Sequence, residues 1–158
     1  MYLIYLLVYL NIIMRKYKGD YMKIKILDCK LLSIEEANKV DESIRCIDKY
    51  WWLRSCGNDI HYAAYVGSDG RINTYGVHVS HLSYVRPALY LESNAGKSFK
   101  LASHDWINVF DNVYLCENFI EYKMFDAEYV QYESSYIQNY ILSWFRSQGL
   151  EFNTNIEI

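Results

Sequence analysis

The chain has 158 residues, 52% of them apolar and 22% charged, enough to fill one hydrophobic core of a single domain without covalent staples. Its net charge of −3 is unevenly spread: residues 22–100 carry 11 Lys+Arg against 9 Asp+Glu, residues 101–158 carry 2 against 9, a net of −7. That balance disfavours contact with nucleic acid through a basic surface and suits a basic protein partner. The four cysteines (Cys29, Cys46, Cys56, Cys116) are widely spaced and form no CxxC pair, so reduced thiols in a cytoplasm are expected rather than a disulfide scaffold.

From the N-terminus, Tyr2–Ile13 is a run of twelve residues, apolar but for Asn11, followed by Arg15, Lys16 and Lys18. It is shorter than the roughly 20 residues that span a bilayer, and its charges follow the run, the reverse of a secretory signal. The peptide Lys18-Gly19-Asp20-Tyr21-Met22 can be encoded by a string containing a ribosome-binding sequence just before an ATG. Translation is therefore expected to start at Met22, with residues 1–21 a translated leader or an apolar N-terminal extension.

Lys23 to Leu27 alternates as a first strand. Ser33-Ile34-Glu35-Glu36 is a capping box opening a short helix to Lys39 or Val40. Trp51–Ser55 reads as a strand with a turn at Cys56–Asp59. Gly67-Ser68-Asp69-Gly70 joins strands at Ala63–Val66 and Arg71–Tyr75 as a hairpin. Val77–Val79 and a long Val85–Leu91 follow as strands, the latter holding Pro87, which belongs at an edge, a bulge or a strand start.

Glu92–Gly96 is the best break, dividing the domain 22–158 into halves 22–91 and 97–158. Ser98–Leu101, Asp105–Phe110 and Val113–Cys116 alternate as strands. From Ser134 or Ser135 the period changes: Ile137, Tyr140, Ile141, Trp144 and Phe145 line one helical face, and Gly149 ends the helix. The expected core includes Trp51, Trp52, Tyr65, Val66, Val85, Leu89, Trp106 and Trp144.

His78-x-x-His81, with His61 and Cys56 nearby, is the only cluster resembling metal ligands, and it lacks a recognised zinc spacing. No nucleophile elbow, P-loop or dinucleotide glycine pattern is present. The chain is therefore read as non-enzymatic, with no cofactor and no metal. Arg54 and Arg86 each sit in an apolar segment, where a charge needs partners, and are read as structural, bonded to carboxylates or carbonyls.

Trp51-Trp52-Leu53-Arg54-Ser55, Ala63-Ala64-Tyr65-Val66, Asp69-Gly70, Gly76-Val77 and Val85-Arg86-Pro87-Ala88-Leu89 resemble the WWLRS…AAYV…GV…VRPAL signature of a bacterial and phage domain-of-unknown-function family. Cys56 and Tyr84 depart from its usual proline and glycine. The family is similar to divergent C-type-lectin-like domains of the formylglycine-generating-enzyme kind. The resemblance implies a single α+β domain: an irregular antiparallel sheet, short helices, a C-terminal helix and neighbouring termini. It also implies a cytoplasmic, non-membrane protein-binding module of mobile-element type, with an anti-CRISPR-type inhibitor of a host nuclease as a narrower form. A glycan-binding module and a small zinc protein using His78, His81 and a cysteine are the other expectations. With 17 tyrosines to choose from, Tyr62, Tyr75, His78 and Tyr84 are the binding candidates, and Trp51, Trp52, Arg54, Arg86 and Trp106 the structural ones.

Overall fold

The period-two run after Met22 forms β1 (Lys23–Lys30), longer than expected, and Ser33 then caps α1 (Ile34–Asn38). The capping box closes in both directions: Ser33 Oγ accepts from the Glu36 N–H at 3.1 Å, and Glu36 Oε2 accepts from the Ser33 N–H at 2.8 Å. The structure, a computed structural model, describes residues 22–158; the leader expected at 1–21 lies outside the described residues. A further helical turn, α2 (Glu42–Arg45), follows without a sequence signal that marked it.

Next come β2 (Trp51–Cys56), β3 (Tyr62–Val66), β4 (Ile72–His78), β5 (Leu82–Val85) and β6 (Ala88–Leu91). The second half supplies β7 (Ser98–Leu101), β8 (His104–Phe110), β9 (Val113–Cys116), β10 (Glu121–Met124), α3 (Tyr136–Ser147) and β11 (Asn155–Glu157). They build a single α+β domain of two sheets, one ordered β11-β1-β6-β9-β8-β7, the other β10-β5-β2-β3-β4. All pairings are antiparallel except β2 with β5.

Two expectations are corrected. The run Val85–Leu91 is not one strand: β5 ends in the five-stranded sheet, and β6 begins in the other. Pro87 has no N–H for a ladder, and Arg86–Pro87 carry the chain across. The carbonyls on either side still find partners, Val85 O from the Ile120 N–H at 2.9 Å and Pro87 O from the Cys116 N–H at 3.0 Å. Conversely, Arg71–Tyr75 and Val77–Val79 are not separate strands. β4 passes through a bulge at Thr74–Gly76, where Gly76 adopts φ 80° and lies so close to Ala63 that a Cβ would stand 2.6 Å from its carbonyl oxygen.

Adjacent tryptophans in β2 point to opposite faces and seed two cores. Trp52 joins Ile24, Val85, Leu89, Trp106 and Phe125, with Ile137, Ile141 and Phe145 of α3 laid over them. Trp51 joins Leu53, Val66 and Leu115. Tyr65 and Trp144 are partly buried against the first cluster. β11 pairs with the start of β1, and Met22 and Ile158 exchange two backbone hydrogen bonds at 3.1 Å, so the ends of the described chain meet.

Candidate functional site

Each buried arginine is held by oxygen atoms. The Arg54 guanidinium, half-buried, donates through Nη1 to the Leu31 carbonyl at 2.8 Å and to the Glu36 carboxylate, with the Tyr90 hydroxyl at 3.4 Å. Burial alone would raise the Glu36 carboxyl, but bonds from Arg54 and the Ser33 N–H outweigh it and hold the group below its usual range. Arg86, 1% exposed, donates to three carbonyls: Cys116 at 2.8 Å, Ile44 at 2.8 Å and Glu117 at 3.2 Å. Its guanidinium also lies 5.0 Å from the Trp51 ring. Burial pushes Arg86 down to about 10, which leaves it cationic at neutral pH. Both arginines are tied into the frame, as is Trp106, whose indole donates to the Leu101 carbonyl at 3.0 Å.

The surface chemistry gathers around the start of β5. Because β2 and β5 run parallel with Trp51 beside Tyr84, the Tyr50 carbonyl accepts from both the Tyr84 N–H, at 3.0 Å, and Ser83 Oγ, at 2.8 Å. On the other side of β5, β10 sets Tyr122 opposite Tyr84 and Met124 opposite Leu82, so these four side chains share one face. Tyr84 packs on Tyr122 with ring centroids 4.7 Å apart and on Phe119 at 4.3 Å; Tyr50 tilts against Tyr65 at 5.7 Å. Tyr50, Tyr65, Tyr84 and Tyr122 then line a cleft of about 290 Å³, together with Val77, His81, Leu82 and Ser83. Tyr50 and Leu82 are each 55% exposed, Tyr122 48% and Met124 38%.

Of the binding candidates, Tyr84 forms a wall of this cleft. Tyr62 and His78 meet each other instead, at 5.9 Å, in a second aromatic group where His78 stacks on His61 at 6.2 Å and His61 on Tyr129 at 5.2 Å. Tyr75 stands on β4, 73% exposed, in neither group. The imidazoles have local partners: His61 Nδ1 donates to the Glu128 carbonyl at 2.8 Å, and His78 Nδ1 accepts from the Ser80 N–H at 3.2 Å. Cys56 Sγ points to the Asp59 carbonyl at 2.9 Å, and His81 lines the cleft. Among the described residues no three His, Cys, Asp or Glu side chains are gathered as a metal would require.

Sequence reasoning passed over Tyr50, Leu82 and Tyr122. The signal that could have found them was the pairing of β10 with β5, and β10 itself went unread. No described helix is long and apolar enough to cross a membrane. No family model, no curated protein and no solved structure matches this chain.

Proposed function

We propose that this protein is a non-catalytic protein-binding module of C-type-lectin-like kind, acting in the cytoplasm within a phage or mobile-element setting. The observation that carries the reading is the apolar surface around the cleft: Leu82, Tyr122 and Met124 stand on one face of the paired strands β5 and β10, and Tyr50, just before β2, lines the same cleft, all four exposed. Neighbouring exposed apolar groups of this size, rich in tyrosine, are the mark of a protein contact, and tyrosine brings large area at small entropic cost. The meeting of the two ends of the described chain and the signature segments around β2 and β5 support the lectin-like assignment.

The test compares capture from host lysate by the wild-type protein and by Leu82→Asp/Tyr122→Asp, with thermal unfolding as the check on folding. A defined protein retained by the wild type and reduced about tenfold or more by the variant is expected. Equal retention by both would refute the reading. The acidic second half, with a net charge of −7 over 101–158, favours a narrower form in which the partner is a nuclease with a basic channel. In that form the purified protein inhibits cleavage by the captured nuclease, and the variant does not.

A further inference from the structure

We infer that β10 is an interface for a second copy of this chain: two copies pair β10 with β10, antiparallel, about a two-fold through Tyr122, and so join their five-stranded sheets into one. This goes beyond the protein-binding reading and does not depend on it. β10 is an outer strand of its sheet, with no described strand beyond it. Because Tyr84 gives its N–H to the Tyr50 carbonyl before β2, its neighbours Ser83 and Val85 turn theirs toward β10. Their partners Lys123 and Glu121 therefore face β5 with their backbone groups, and Tyr122 and Met124 present theirs along the open edge. Among the described residues the Tyr122 N–H is met only by the carboxylate of the preceding Glu121, at 2.9 Å.

The side chains select a second copy as the occupant and set its register. Glu121 and Lys123 stand on the face toward α3, where Lys123 Nζ lies 4.8 Å from the Tyr140 ring; Tyr122 and Met124 stand on the other face, beside Tyr84 and Leu82. A two-fold through Tyr122 places Glu121 of each copy opposite Lys123 of the other, and Tyr122 beside its own counterpart. A two-fold through Glu121 or Lys123 would oppose like charges, and one through Met124 would set Tyr122 against Asp126. In the favoured register the two Tyr122 residues exchange both backbone hydrogen bonds. Glu121 and Lys123 form the intervening pair without backbone bonds, where side chains come closest. Glu121 then releases the Tyr122 N–H and takes the ammonium of the second copy. The other sheet edges suit such pairing less: β4 is bulged, β11 has three residues, and β7 carries Lys100 with no acid to answer it. Directly opposed residues keep to one face, so the dimer sets both copies' exposed Leu82, Tyr122 and Met124, and both clefts, on one surface.

The test is sedimentation equilibrium of the full chain with the charges exchanged. The wild type is expected to reach twice the monomer mass below about 1 mM. Glu121→Lys and, independently, Lys123→Glu should each weaken dimerisation about tenfold or more, with thermal unfolding as the check on folding. The double exchange Glu121→Lys/Lys123→Glu should restore the dimer, which no loss of folding would imitate. In a Cys46→Ser/Cys56→Ser background, Tyr122→Cys should give a disulfide-linked dimer on mild oxidation, because the two Cα atoms of such a pair lie about 5.5 Å apart. Glu121→Cys, offset from its own counterpart, should link far more slowly. A monomer at every concentration, a dimer indifferent to the single exchanges or not restored by the double one, or equal linking at both cysteines would each overturn the assignment. A monomer that still retains a host protein lost from Leu82→Asp/Tyr122→Asp would remove the dimer and leave protein binding standing. A charge-sensitive dimer that retains no such protein would keep the dimer and remove that reading.

Discussion

Replacing Arg86 with methionine decides whether a buried charge here stabilises the fold or merely occupies it. The side chain is 1% exposed and donates to the carbonyls of Cys116, Ile44 and Glu117, tying the turn at Ile44 to the end of β9. Methionine keeps much of the volume but leaves those oxygens without their donor. A hydrogen bond from a charged group is worth about 1.5–3 kcal/mol net, and taking the cation out of water costs several kcal/mol. Because the partners are neutral carbonyls and not a carboxylate, no full opposite charge repays that cost. The bonds still prevail, since unpaired carbonyls in a dry core are expensive by themselves. Arg86→Met should therefore lose about 3–5 kcal/mol, or roughly 10–15 °C in Tm for a domain of this size. Urea and thermal unfolding measure it, with Arg86→Lys as the comparison that keeps the charge and cannot span all three acceptors. If the methionine variant came within about 1 kcal/mol of wild type, desolvation would cancel the bonds and the argument would fail.

Three further outcomes follow from the frame around the cleft. Glu36 is held below its ordinary range in the folded state, so its contribution is present above the unfolded value near 4.5 and is lost as pH falls through the folded value. The steep part of the acid limb in urea titrations should flatten in Glu36→Gln, and an unchanged limb would assign it to other carboxylates. Native alkylation should label Cys46 and Cys56, which are exposed, and spare Cys29 and Cys116, which are buried and have raised thiol pKa values, Cys116 at about 11. Mass spectrometry should count two adducts before unfolding and four after. Gly76→Ala should destabilise by about 1–3 kcal/mol because both its φ of 80° and the nearby Ala63 carbonyl exclude a Cβ. A neutral result would mean that the bulge relaxes freely.

Much of the frame was legible because each segment buries one face or both. Trp51–Ser55, Ala63–Val66, Ser98–Leu101 and Val113–Cys116 alternate or run apolar for that reason, and the capping box at Ser33 announces α1 by hydrogen-bond chemistry alone. The α3 stripe from Ile137 to Phe145 faces the core it predicted. β10 was illegible because Glu-Tyr-Lys-Met on a sheet edge buries neither face, leaving no period for the sequence to carry. The break at Arg86–Pro87 was masked by the opposite condition, since apolar residues flank it on both sides. The cleft was hidden for a third reason. Its four tyrosines come from positions 50, 65, 84 and 122; Tyr84 was among the binding candidates, but among 17 tyrosines only the pairing of strands brings the four together.

The pairing of β1 with β11 has a kinetic consequence. Lys23 and Glu157 are partners at opposite ends of the described chain, so the outer strand at this edge of the six-stranded sheet, β11, is synthesised long after its neighbour β1. Until Asn155–Glu157 arrives, β1 offers an open row of backbone donors and acceptors at one edge. A nascent or truncated chain lacking those final residues is thus the form most exposed to pairing with another copy of itself. Joining residue 158 to residue 22 by a short linker and opening the chain at Glu92–Gly96 would bring the two strands together early and should speed refolding.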